Sequence, residues 1–188
     1  MSKTSIDEAF VAYFEDAKAF LEVAQSRSKD NNPRSSDAFC RASLLVGFAS
    51  FEAFLHSVSM DFVDSQHPEL SIHDVAFLRE KEVVLDVEGV FLISDKTKFA
   101  RLEERVLFLY RRLSGKKLDR KSQFWSSLMS GIKLRNEIVH PKEYQALSEK
   151  TVAQTLTAIL DMMNYLSLGI YKRKLPIASR GLSAKLEL

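Results

Sequence analysis

The run KLRNEIVHPK, Lys133 to Lys142, brings together three side chains that could do chemistry: Arg135, Asn136 and His140. An imidazole with an ordinary pKa of about 6.5 can exchange a proton near neutrality, and the negative end of a helix favours its protonated form. Arg135 supplies a fixed cation. Asn136 and His140 are four residues apart and share a helical face, so the amide can orient the imidazole. Pro141 pushes the residue before it out of the α region, so the helix is expected to end at His140 or just before it, with the ring free to leave strict helical geometry. A proton-exchanging imidazole beside a fixed cation suits general acid–base work on a phosphodiester.

The helix that carries these residues is expected over about 119–140, with an inward stripe of Phe124, Leu128, Ile132, Arg135 and Val139. Arg135 thus falls in a slot that spacing assigns to the interior. Burying an unpaired charge costs several kcal/mol, so the guanidinium must pair with a carboxylate, snorkel to water, or line a cleft or subunit interface that holds an anion. Glu52, among the small residues of an earlier helix, is one candidate partner.

Helical spacing of apolar residues recurs along most of the chain. Phe10, Tyr13, Ala17, Phe20, Leu21 and Ala24 predict a first helix over about 6–26. After the polar loop SRSKDNNPRSS, Ser36 or Asp37 can cap a second helix to about Ser65, striped by Leu44, Leu45, Phe48, Phe51, Leu55 and Val58. Gly47 and the small residues around it would let another helix approach closely. Residues 71–95 read as an insertion: Ser71 and Asp74 can cap a short helix, and VVLDVEGVFLIS, rich in β-branched residues, is extended or a small hairpin. Phe99, Leu102, Val106, Leu109 and Leu113 predict the next helix, stopped at Ser114-Gly115. The last, over about 149–172, turns Val152, Leu156, Ile159, Leu160, Met163, Leu166 and Ile170 inward. The fold expected is an all-α, up-and-down helical bundle with a small insertion between helices. One domain is expected over 1–188, with 175–188 expected as a flexible tail.

The 188 residues, 46% of them apolar, suffice for one sizeable core. There is no run of 18 apolar residues and no signal-like N-terminus, which predicts a cytoplasmic protein with no membrane partner. Cys40 is the single cysteine, which excludes an intramolecular disulfide and a cysteine zinc cage. His56, His67 and His73 have no metal-ligand spacing, so neither metal nor cofactor is expected. The net charge of +2 conceals a split: residues 43–95 carry 2 basic against 10 acidic side chains, and residues 96–142 carry 13 against 4. Such a division can hold two faces of one fold together or make a polyanion-binding surface. Lys116, Lys117, Arg120 and Lys121 in one loop, with Lys133 and Lys142 beside the motif, are the candidate RNA-binding residues. Trp125 and Tyr144 could stack on bases, against a core or boundary role.

Arg135-Asn136-Glu137-Ile138-Val139-His140 resembles the R-polar-x3-H form of the Rx4-6H signature of HEPN domains (higher eukaryotes and prokaryotes nucleotide-binding). Ala49-Ser50-Phe51-Glu52-Ala53-Phe54-Leu55 is similar to the Ser-x-Glu early helix of several prokaryotic HEPN groups. The resemblance spans about residues 36–170 and rests on these two stretches. Members with the signature are mostly metal-independent endoribonucleases of toxin–antitoxin, abortive-infection and other phage-defence systems, and act as homodimers whose two motifs meet across a two-fold axis. The resemblance therefore implies a toxin or defence effector with RNA, a second copy of itself, and an antitoxin or defence-system protein as partners. It also implies that His140 takes or gives the proton in attack of the ribose 2′-OH, that Arg135 stabilises the developing charge, and that Asn136 positions imidazole or phosphate. Members silenced by nucleotidyl transfer carry a tyrosine two positions after the histidine. Here that position is Lys142, and Tyr144 lies two further on. The other reading is a non-catalytic HEPN-like RNA-binding or protein-interaction adaptor, with Arg135 and His140 a structural pair.

Overall fold

Among the described residues, six helices and one hairpin follow in the order α1 (Thr4–Lys29), α2 (Pro33–Asp64), α3 (Ile72–Leu78), β1 (Lys81–Leu85), β2 (Phe91–Thr97), α4 (Leu102–Ser114), α5 (Gln123–Val139) and α6 (Glu149–Tyr171). This is a computed structural model that describes residues 4–65, 69–175 and 182; His67 and nearly all of the expected tail lie outside them. The chain is all-α apart from the hairpin, as the spacing predicts.

α1 and α2 are antiparallel. Ser43 Oγ donates to the Ala17 carbonyl at 2.6 Å and Ser50 Oγ to the Phe10 carbonyl at 2.6 Å, so partners run in opposite order along the two helices. α6 packs against both. A Cβ at Gly47 would collide with Leu156 Cδ2, and one at Gly131 would lie 2.5 Å from Thr155 Cγ2, so α2 and α5 both reach α6 through glycines. Phe14, Leu44, Phe48, Phe51, Leu55, Leu128, Leu156 and Ile159 make the centre of the core. α2 is long and apolar enough by length and composition to cross a membrane, yet these buried side chains make it the packed spine of the bundle.

Several expectations are corrected. α2 begins at Pro33 with Asn32 as its cap, Oδ1 accepting from the Ser35 N–H at 3.2 Å; proline at the first helical position needs no donor. Ser36 and Asp37 are therefore buried within the helix and free for other work. Tyr13 and Phe99 are exposed where an inward place was expected, because Phe14 takes the interior slot of α1 and Phe99 precedes α4. Leu45 is half-buried. In α5 the fully inward residues are Trp125, Leu128 and Gly131; the stripe drifts around the helix so that Val139, at its end, faces water. Trp125 is a core residue.

The insertion is a short helix followed by a hairpin. Ser71 and Asp74 form a reciprocal capping box on α3, as expected of that pair. β1 and β2 pair antiparallel, with Val83 opposite Ile93 and Leu85 opposite Phe91 and a register shift between Lys81 and Val83. Gly115, at φ 71°, ends α4 in the left-handed conformation that glycine adopts without a steric penalty.

Candidate functional site

α5 delivers Arg135, Asn136 and His140 to one cleft of about 860 Å³. The other walls come from Glu52 on α2, Glu80 between α3 and β1, Phe99 and Arg101 before α4, and Glu103 and Arg105 on α4. His140 is the first residue beyond α5, at φ −124° and ψ 65°, so the helix ends where Pro141 requires. Its backbone N–H still donates to the Asn136 carbonyl at 2.9 Å, and its side chain is exposed.

Arg135 is half-buried and has two partners. Nη2 donates to Glu52 Oε1 at 3.0 Å and Nη1 to Asn136 Oδ1 at 3.2 Å. Two of the outcomes open to an inward arginine thus hold together: it pairs with a carboxylate and it lines a cleft. The amide oxygen of Asn136 holds the guanidinium rather than the imidazole, a partner that the four-residue spacing to His140 did not suggest.

Charge is distributed differently from the sequence grouping. The cleft walls carry three arginines (Arg101, Arg105 and Arg135) against three glutamates (Glu52, Glu80 and Glu103), so the acid–base count is balanced apart from His140. Lys133 and Lys142 line a second groove of about 700 Å³, which shares Glu103, Ile132, Asn136 and His140 with the first. Asn136 and His140 therefore form a ridge between the two. Lys116, Lys117, Arg120 and Lys121 are exposed in the α4–α5 connection, at the opposite end of α5. The rise from Ser122 to His140 is about 27 Å, and none of the four lines the cleft or the second groove.

The segment after His140 is fixed to the start of α2. Asp37 accepts from Tyr144 Oη at 2.7 Å, from the Leu147 N–H at 2.6 Å and from Arg41 Nε at 3.1 Å. The Arg41 guanidinium lies 4.5 Å over the Tyr144 ring. Burial pushes the Asp37 carboxyl up, but the bonds from Arg41, Tyr144 and Leu147 outweigh it and hold the group below the usual carboxylate range. Ser36 Oγ adds a 2.6 Å bond to Glu149 Oε1 at the start of α6. Tyr144 is thus a latch in this structure, its ring largely exposed but its hydroxyl engaged.

Sequence reasoning missed Asp37, Glu80, Arg101 and Arg105 as parts of the site and its support. Arg101 and Arg105, four apart at the start of an amphipathic helix, were the available signal. Cys40 is buried, and burial first, then the Glu149 carboxylate, push its thiol up to about 11, which removes it as a nucleophile. Among the described residues, no three His, Cys, Asp or Glu side chains converge so as to hold a metal ion.

The family model described as RiboL-PSP-HEPN matches residues 12–171, from the first half of α1 to the end of α6. No match was found among the curated proteins or among the solved structures.

Proposed function

The chain belongs to the RiboL-PSP-HEPN family, and from that premise we propose that it is a metal-independent endoribonuclease with Arg135 and His140 at its catalytic centre. The observation that carries this reading is their meeting in one open cleft, with the guanidinium aimed by Glu52 and Asn136 and the imidazole exposed at the helix end. Nucleophile and leaving group both belong to the RNA. The 2′-OH loses its proton to a neutral imidazole as its oxygen attacks the adjacent phosphorus, and the 5′-oxygen leaves with a proton from an imidazolium. Arg135 neutralises the charge gathering on the non-bridging oxygens. The products carry 2′,3′-cyclic phosphate and 5′-OH ends.

Base and acid are two imidazoles, which a homodimer supplies by bringing His140 of each copy to one phosphodiester. Exposed Val139 and His140 at the end of α5 suit such a two-fold contact, and a second copy is also the means by which the distant Lys116–Lys121 loop can reach RNA bound at the motif. The role in the cell is that of a toxin or phage-defence effector, restrained by a partner protein. Expression should slow growth of the host, and His140→Ala should relieve it.

A second reading, a non-catalytic RNA-binding or protein-interaction adaptor, is favoured by one fact: Arg135 already has a carboxylate partner and the cleft is charge-balanced. RNA incubated with the purified protein in EDTA separates the two. Cleavage that survives chelation and is lost in His140→Ala supports the nuclease; salt-sensitive binding without cleavage supports the adaptor.

A further inference from the structure

Arg105 is the charge in the cleft that carries a buried donor without an acceptor. Its side chain is 11% exposed, and its ion pair is a single 3.3 Å contact from Nη1 to Glu80 Oε1. Nη2 is buried and has no hydrogen-bond partner, and it is the one buried side-chain nitrogen or oxygen so placed among the described residues. A guanidinium offers five N–H donors in a rigid fork, and a buried donor left unmade costs about 1–3 kcal/mol. A side chain of this kind beside an open cleft lacks an acceptor that a ligand can bring.

Glu80, the present partner, is itself poorly placed to satisfy it. Its backbone sits at φ 54°, a left-handed conformation costly for a residue with a Cβ, while its carbonyl accepts from the Lys98 N–H at 2.8 Å and closes the base of the hairpin. Its carboxylate meets Arg105 at Nη1 and leaves Nη2 without an acceptor. An acceptor with two or more oxygens on one centre matches the arginine fork better, and a phosphate has that geometry. Three carboxylates already line the walls, so what the cleft lacks is a ligand anion rather than a further acidic side chain.

We propose that Arg105 is a second phosphate-binding residue of the cleft, taking the RNA phosphate next to the one held by Arg135, with Glu80 giving way as that phosphate enters. The proposal rests on the endoribonuclease reading and deepens it: the substrate is recognised as a strand of at least two consecutive phosphates, running from the Asn136–His140 ridge toward α4. Arg101 lines the same cleft. Arg105 touches substrate but no reacting atom.

The test compares a dinucleoside monophosphate, which has one phosphodiester, with the same dinucleotide extended by a nucleotide on each side. Arg105→Gln should lower the kcat/KM ratio of the longer to the shorter substrate about tenfold, Arg105→Lys should restore part of that ratio through charge alone, and Glu80→Gln should raise it severalfold. An unchanged ratio in all three variants, with both substrates losing equally, would mean that Arg105 only supports the fold and would overturn the proposal. Should Arg105→Gln not fold, Arg105→Lys and Glu80→Gln decide the matter by the same ratio. If the wild type cleaves neither substrate, the nuclease reading fails by itself. The subsite is then judged by fluorescence anisotropy with 2′-deoxy forms of the two ligands: a preference for the longer that Arg105→Gln abolishes supports it, and an undiminished preference overturns it.

Discussion

Arg135 Nη2 donates to Glu52 Oε1 at 3.0 Å, joining α5 to α2 across the mouth of the cleft. Both side chains remain open to water, so the pair contributes on the order of 0–1 kcal/mol to stability and acts chiefly by aiming the guanidinium. It also places a negative charge where a phosphate must come. Glu52→Gln should therefore lower kcat on RNA about tenfold, through loss of the tether, and lower KM as well, through loss of the repelling charge. Steady-state kinetics read this directly; a fall in kcat with a raised KM would contradict it.

Asp37 gives the latch behind His140 a pH dependence of definite sign. Its ordinary carboxyl value of 3.8 is lowered in the fold, so its stabilisation is complete above 3.8 and is lost as pH falls through the lower folded value. Asp37→Asn should cost about 1–3 kcal/mol at neutral pH and flatten the acid limb of the stability curve. Thermal melts from about pH 5 to about pH 2 check this, and parallel curves for the two proteins would refute it.

Gly131 sets the separation of α5 from α6. A Cβ there would sit 2.5 Å from Thr155 Cγ2 and 3.5 Å from Thr155 Cβ, and a buried β-branched side chain has little room to turn aside. The overpacking cost of about 1–3 kcal/mol exceeds the gain of roughly 1 kcal/mol in helix propensity. Gly131→Ala should lower Tm by a few degrees, of the order expected for such a loss, and a higher Tm would show that α5 is free to shift.

The two basic groups should separate by ligand length. Lys133 and Lys142 line a groove shared with His140, whereas Lys116, Lys117, Arg120 and Lys121 lie outside it, in the α4–α5 connection at the other end of α5. Replacing Lys133 and Lys142 with alanine should weaken binding of short and long RNA alike and reduce the salt slope by roughly two. Replacing Lys116 and Lys117 should weaken only long RNA. Equal effects of both pairs on a short oligonucleotide would contradict the geometry.

Local chemistry in the sequence located the helix end and the residues that line the cleft beside it. Pro141 restricts its neighbour, the apolar spacing marks α4 to α6, and Gly115 stops α4, because each is a short-range steric or periodic effect. Long-range pairings were not legible. Asp37 looked like a cap, yet Asn32 and Pro33 start the helix earlier and turn Asp37 onto a loop more than a hundred residues on. Glu80 and Arg105 are separated by the whole hairpin, and no spacing rule links them. The run of basic residues was contiguous in sequence but is divided by the length of a helix in space. Glu52 was an exception: its place among small residues on α2 marks it as a candidate partner for Arg135, and the two side chains meet.

The most direct measurement is the chemistry of the cut ends. RNA cleaved in EDTA by the wild type should carry 2′,3′-cyclic phosphate and 5′-OH termini, with Arg135→Ala and His140→Ala each abolishing most of the cleavage and the double variant little worse than either. Termini bearing 3′-OH and 5′-phosphate, or undiminished cleavage without the His140 imidazole, would contradict catalysis by this pair.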